Sequence, residues 1–90
     1  MIRSFKSKET EKIFSRRRAA LIPEEVQRSA LRELRHLDQS EFVKDSWVAA
    51  NGNGHGADVK RYAIPLQEEW RICFEWRDGN AYDVYLAENT

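Results

Sequence analysis

The sequence predicts an α+β domain in which a hairpin of two helices packs on one face of a twisted, mostly antiparallel sheet, in the order β-α-α-β-β-β. Residues 22–37, IPEEVQRSALRELRHL, repeat apolar side chains at helical spacing. Residues 70–77, WRICFEWR, alternate apolar and polar side chains as a strand does, and an Asp-Gly turn signal follows them. A chain of 90 residues is expected to form one domain, residues 1–90, around one core.

The N-terminal part of the chain predicts a strand followed by a helix. Residues 1–6, MIRSFK, are short and β-capable, so they are predicted to form the first strand. Ser7 is a good N-cap for a helix over residues 8–18, KETEKIFSRRR, with Glu9 and Glu11 in its first turn, where the helix dipole favours acidic side chains.

The second helix is the clearest element in the sequence. Pro23 suits its first turn, and an apolar stripe follows at spacings of four, four and three residues. The stripe is formed by Val26, Ala30, Leu34 and Leu37, and Leu31 widens it.

Residues 38–57 show no sustained periodicity, and a loop of this length is either functional or contains an element that the pattern does not reveal. Within it, residues 50–57, ANGNGHGA, which include the glycine-rich stretch 51–56, are predicted to be the mobile section. Four apolar side chains are expected to hold the first part of the loop to the core: Phe42, Val43, Trp47 and Val48.

The last third of the chain is typical of an antiparallel meander. Residues 58–66, DVKRYAIPL, precede the strand at 70–77, and residues 81–87, AYDVYLA, return from the Asp-Gly turn. In the returning strand we expect Tyr82, Val84 and Leu86 on one face, with Asp83 and Tyr85 on the other.

Composition excludes several classes of protein. No apolar run reaches the roughly 20 residues that span a bilayer, and the N-terminus has no apolar region typical of a secretory signal, so a cytoplasmic protein is expected. The lone Cys73 cannot form an internal disulfide; it is either a small apolar strand residue or a reactive thiol. His36 and His55 have no partners at metal-ligand spacing, and NGNGHG lacks both the Walker ending and a dinucleotide-binding context. No metal site or cofactor is therefore expected.

The zero net charge conceals two oppositely charged halves. Residues 1–37 carry a net charge of +5 and residues 38–90 a net charge of −5. Such an asymmetry suggests a surface for a polyanion, although solvated basic helix faces are also common in small domains.

A cation-rich site with acid–base groups is the chemistry that the sequence still allows. His55 titrates near neutral pH, Lys60 and Arg61 follow it, and Arg71 is expected on the open face of the sheet. These cations could hold a phosphodiester, while Tyr62 or Tyr85 could stack on an unpaired base. The alternative is that the cations are solvated charges and that His55 is an idle loop residue.

Residues 70–84, WRICFEWRDGNAYDV, resemble the HigB/RelE superfamily of toxins from bacterial toxin–antitoxin pairs, and HigB in particular. The resemblance extends to residues 1–14, to the Pro-led helix and to the domain length. It implies a RelE/ParE-like fold and a ribosome-dependent mRNA endonuclease, in which the substrate 2′-OH attacks the phosphate without a metal. It also implies a cognate antitoxin, usually a helix-turn-helix protein similar to HigA.

The resemblance also implies which residues act. Arg71 matches the arginine of the family that contacts the scissile phosphate, and His55, Lys60 and Arg61 lie nearest to the basic and histidine residues of its catalytic segment. Glu88 corresponds to an aspartate of the usual Asp-Tyr-His ending, but Asn89 and Thr90 replace the tyrosine and histidine. Contact with ribosomal RNA is expected from Arg16, Arg17 and Arg18, and base stacking from Tyr85.

Two alternatives to a nuclease stay open at this point. The missing terminal Tyr-His favours a non-catalytic or weakly active protein that chiefly binds an antitoxin or another target. A gyrase inhibitor similar to ParE is the other alternative.

Overall fold

The computed structural model describes residues 1–50, 60–67 and 69–88. They form two helices and a four-stranded antiparallel sheet, so the predicted α+β class and the meander are confirmed. The strands lie in the sheet in the order β1-β2-β3-β4, and each is antiparallel to its neighbour. The elements are α1 (Lys8–Phe14), α2 (Glu24–Gln39), β1 (Val48–Ala49), β2 (Lys60–Pro65), β3 (Trp70–Arg77) and β4 (Asn80–Glu88).

The prediction of a first strand over residues 1–6 is wrong. This segment runs parallel to β4 but forms only two isolated bridges, Ile2 with Ala81 and Phe5 with Val84. Between them Asp83 has a left-handed φ of 51°, and its backbone amide donates to Ser4 Oγ instead of a ladder carbonyl. The extra β4 residue interrupts the ladder. The order of named elements is therefore α-α-β-β-β-β.

Helix α1 is shorter than predicted, because it ends at Phe14 and not at residue 18. Its N-cap is as expected: Ser7 Oγ accepts a hydrogen bond from the Thr10 amide. At the other end, Arg16 adopts a left-handed φ of 63°. The amides of Arg16 and Arg17 bond to the carbonyls of Ile13 and Lys12, at 3.0 and 2.7 Å. This is the hydrogen-bond pattern of a Schellman motif, which usually has glycine where Arg16 stands.

Replacing Arg16 with glycine is expected to stabilise the fold by about 0.5 kcal/mol. Relief of a left-handed non-glycine residue is worth about 1–2 kcal/mol, and the greater unfolded-state freedom of glycine removes about 0.4–1 kcal/mol of that gain. Urea unfolding would measure the change. Arg17→Gly is the matched control, because the backbone of Arg17 is not left-handed. This substitution should only lower stability, through the greater freedom of glycine in the unfolded chain. Equal effects of the two substitutions would contradict this account of the helix end.

Helix α2 presents its predicted stripe to the sheet. Val26, Ala30, Leu34 and Leu37 are all buried, with exposed fractions no greater than 1%. Pro23 is the N-cap residue, one position before the predicted first turn. On the sheet side the same core contains Ile72, Phe74, Trp76, Ala81 and Val84.

The predicted loop over residues 38–57 contains a core residue and a short strand. Trp47 is 8% exposed and β1 follows it directly. The other three proposed anchors are exposed: Phe42 by 78%, Val43 by 43% and Val48 by 53%. The expectation was therefore right for Trp47 alone. The glycine-rich stretch 51–56 lies outside the described residues.

The two faces of the sheet are set by its register. We call the side that packs on the helices the helical face, and the other side the open face. At the turn, Asp78 and Gly79 have φ values of 50° and 75°, as predicted for an Asp-Gly hairpin. Between β3 and β4, Glu75 pairs with Tyr82 and Cys73 pairs with Tyr85. Two β4 residues therefore lie opposite Phe74 of β3. This bulge puts Tyr82 on the open face, and its predicted place beside Val84 and Leu86 is wrong.

Candidate functional site: a cation-lined groove on the open face

The open face carries a groove of about 280 Å³ whose walls come from β2, β3, β4 and the N-terminal segment. Arg61 pairs with Glu75, and Cys73 pairs with Tyr85, so these side chains share the open face. The predicted residues Arg61, Arg71 and Tyr85 are thus brought together. The lining also includes Lys6, Tyr62, Cys73, Glu75 and Asp83.

Arg61 is held in the groove by one carboxylate. Its Nη2 lies 3.1 Å from Glu75 Oε1, and the two side chains are 38% and 23% exposed. The Arg61 Nε is buried and has no hydrogen-bond partner in the part of the chain that the structure describes. A buried guanidinium donor without a partner is costly, so Glu75 does not satisfy every donor of Arg61.

Lys6 enters the groove because the N-terminal segment lies along β4. Its backbone amide donates to the Val84 carbonyl at 3.0 Å. Its Nζ lies 5.1 Å from the centre of the Tyr85 ring, within cation–π range. Sequence reasoning missed Lys6, because only pairing between the two ends of the chain brings it to β4, and no local pattern signals such pairing.

Tyr85 is a protonated phenol surrounded by cations. Its burial raises the pKa of the phenol above its usual range, and Cys73, which hydrogen-bonds to it, raises this pKa further. Arg71 and Arg61 act on the pKa in the opposite direction, but the net shift is upward. At neutral pH, Tyr85 can therefore donate a hydrogen bond to an anion beside these two arginines.

The Tyr85 phenol is expected to ionise above pH 10, the usual value for tyrosine. The absorbance titration of the wild-type chain minus that of Tyr85→Phe isolates this group among the three tyrosines. Because the folded-state pKa is raised, the corresponding stability is present at neutral pH and is lost as pH rises through that pKa. The free energy of unfolding should therefore fall more steeply with alkaline pH in the wild type than in Tyr85→Phe. A midpoint at or below that of free tyrosine would contradict the burial argument.

Two predicted catalytic residues, Lys60 and Glu88, do not line the groove. Lys60 pairs with Trp76 and so projects toward the helical face, because neighbouring strand residues point to opposite faces. Glu88 pairs with Trp70 at the end of β4 and is exposed. His55 lies outside the described residues.

The predicted RNA contacts Arg16, Arg17 and Arg18 lie elsewhere. They line a second groove, between the end of α1 and the start of α2. The two grooves share no lining residue. Contact of these three arginines with ribosomal RNA stays a prediction.

Neither a metal-binding cluster nor a membrane-spanning helix is present in the described ranges, 1–50, 60–67 and 69–88. Within them, no three His, Cys, Asp or Glu side chains are grouped so that they could hold a metal ion. No helix in that part of the chain is both long and apolar enough to cross a membrane.

Comparisons with known proteins add no assignment. Neither a scan against models of protein families nor a search of curated proteins found a match for this chain.

Proposed function

We propose that this chain is the toxin of a toxin–antitoxin pair, with a RelE/ParE-like fold related to HigB, and that it cleaves mRNA on the ribosome. One observation carries the proposal beyond the sequence resemblance. Three cations from distant parts of the chain, Lys6, Arg61 and Arg71, line one groove around Tyr85. A groove of this kind suits the backbone of a single RNA strand.

The groove can support phosphodiester cleavage by the 2′-OH of the substrate. Attack on phosphorus adds negative charge to the non-bridging oxygens, and Arg61 and Arg71 are suited to stabilise that charge. The Arg61 side chain is 38% exposed, so its guanidinium can donate a hydrogen bond to a phosphate oxygen. Tyr85 stays protonated at neutral pH, so it can donate a hydrogen bond to the phosphate or stack on a neighbouring base.

The proton-transfer steps are assigned to residues that the sequence resemblance suggests. His55 or Glu88 is proposed to handle protons, since His55 lies nearest to the catalytic segment of the family and Glu88 stands where the family has an aspartate. Lys60 is proposed to reach the RNA backbone from the strand end, and not the scissile phosphate, because of the side to which it projects.

Induction of the chain in bacterial cells tests the proposal. Wild-type induction is expected to arrest growth and to leave new 5′ ends on translated mRNA, detected by primer extension. Arg71→Ala should reduce those ends by about 10²-fold, the usual effect of removing a transition-state donor. Arg77→Ala is the matched control, because Arg77 is on the same strand and face but does not line the groove. Arrest and cleavage that are unchanged by Arg71→Ala, at equal protein levels, would refute the active-site assignment.

A binding protein on the same fold is the second candidate function. It is favoured by the position of Glu88 outside the groove, by Asn89 and Thr90 in place of Tyr-His, and by the carboxylate of Glu75 that already pairs with Arg61. Such a protein would chiefly engage its helix-turn-helix antitoxin, and its induction would leave no new 5′ ends. Arrest with a loss of DNA supercoiling would instead indicate a gyrase inhibitor similar to ParE.

A further inference from the structure

The second groove combines positive charge with an aliphatic floor. Arg16, Arg17, Arg18 and Arg28 surround Ile13 and Leu31, where the end of α1 meets the start of α2. Leu31 is only partly buried against the core. A cationic rim around exposed aliphatic surface complements a ligand that is both acidic and apolar.

The loop that carries three of these arginines is fixed in place. The Gln27 side chain accepts from the Ala19 amide at 3.1 Å, and it donates to the carbonyls of Ala19 and Ile22 at 2.9 and 2.7 Å. Ala19 is 2% exposed, and the Schellman motif at Arg16 fixes the start of the loop. Because the loop is ordered before any partner arrives, little conformational entropy is lost on binding.

Leu21 is an independent sign that this loop meets a partner. It is 100% exposed and has a left-handed φ of 68°. Both features are unfavourable for a leucine, since the left-handed conformation costs about 1–2 kcal/mol and exposure forfeits the benefit of burial. Leu21 follows Arg16, Arg17 and Arg18 in the same loop, and a strained, exposed apolar side chain is expected where another molecule covers it.

We propose that this arginine groove binds an acidic amphipathic helix of a partner protein. The carboxylates of that helix would pair with Arg16, Arg17 and Arg18, in the bidentate geometry that guanidinium groups favour. Its aliphatic side chains would pack on Leu31 and against Leu21. The inference depends on this groove alone and does not require the chain to cleave RNA.

RNA fits the same groove less well. No aromatic side chain lines it among the described residues, so it offers no stacking platform for bases. An aliphatic floor instead matches leucine or isoleucine side chains on one face of a helix.

A displayed library of helical peptides tests the proposal. The peptides carry Leu or Ile at the core spacings of an amphipathic helix, and Asp, Glu or random residues elsewhere. They are selected against the full chain, and the affinity of the enriched peptides is measured by fluorescence anisotropy. Arg17→Ala and Leu21→Asn should each weaken binding by about 10-fold. Asparagine tolerates the left-handed conformation, so Leu21→Asn removes the apolar contact without straining the loop.

Matched substitutions on other surfaces provide the controls. Arg35→Ala and Val48→Asn change an exposed arginine and an exposed apolar residue that do not line this groove, so affinity should stay within about 2-fold. Arg71→Ala should also leave peptide affinity unchanged, so a failed nuclease proposal would not affect this result. Three outcomes would overturn the inference: no enrichment of peptides, binding that ignores Leu21 while depending on charge, and displacement of the peptide by short single-stranded RNA.

Discussion

Replacing Trp47 with alanine is expected to lower the free energy of unfolding by about 3–5 kcal/mol, the usual cost of truncating a buried aromatic. The Trp47 ring is 8% exposed and makes edge-on contacts with two aromatic rings of β3. Its centre lies 5.0 Å from that of Phe74 and 5.1 Å from that of Trp76. A domain of this size has a total stability of about 5–15 kcal/mol. Loss of Trp47 would therefore remove a large share of it.

Urea unfolding followed by circular dichroism measures this loss. Phe42→Ala is the matched control, because Phe42 lies in the same connecting segment and is 78% exposed. Its truncation should change stability by no more than about 0.5 kcal/mol. If the two substitutions cost the same, Trp47 does not hold this segment to the sheet.

Removing the arginines of the open-face groove is expected to weaken binding of short single-stranded RNA and to make it less sensitive to salt. Each phosphate contact with a single strand contributes about 0.7 to the slope of log affinity against log salt concentration. The slope should therefore fall by about 0.7 in Arg71→Ala, and by about twice that when Arg61→Ala is added. Fluorescence anisotropy with a labelled RNA, repeated over a range of salt concentrations, gives these slopes.

A substitution of opposite sign strengthens this experiment. Glu75→Gln removes the carboxylate 3.1 Å from Arg61 and should increase RNA affinity, because it frees the guanidinium and removes a repulsive charge. Arg77→Ala controls for a general loss of positive charge on the same face. A slope that is equal in the wild type and the Arg61→Ala/Arg71→Ala variant would show that the groove does not contact the RNA backbone.

The helical stripe and the meander could be predicted from the sequence because their signals are local. Leu34 belongs to a pattern contained within one helix, and Asp78 and Gly79 identify their turn without reference to the rest of the chain. The first strand could not be predicted correctly. Whether residues 1–6 form a continuous ladder is decided by Asp83 at the far end of the chain, through a bulge that no nearby pattern indicates.

The sequence likewise predicted only some residues of the candidate site. Alternation along β3 placed Arg71 on the open face, and one strand pairing sufficed to bring Tyr85 beside it. The position of Lys6 depends on contact between the two ends of the chain. Lys60 and Arg61 are neighbours in the sequence, but the pleat of their strand directs them to opposite faces of the sheet. Basic residues that are adjacent in the sequence of a strand therefore cannot all reach the same phosphate.

The bulge at Asp83 has a consequence for how this chain can tolerate deletions during evolution. Loss of Asp83 would leave the pairings of Glu75 with Tyr82 and of Cys73 with Tyr85 intact, and would make the meander regular. The same loss would remove the amide that Ser4 accepts from and would disturb the spacing of the two bridges to the N-terminal segment. Such a deletion would thus keep the sheet, while the two bridges, which lie on either side of Asp83, could no longer both keep their register. The number of residues in β4 therefore decides whether the N-terminal segment can form both of its bridges to the sheet.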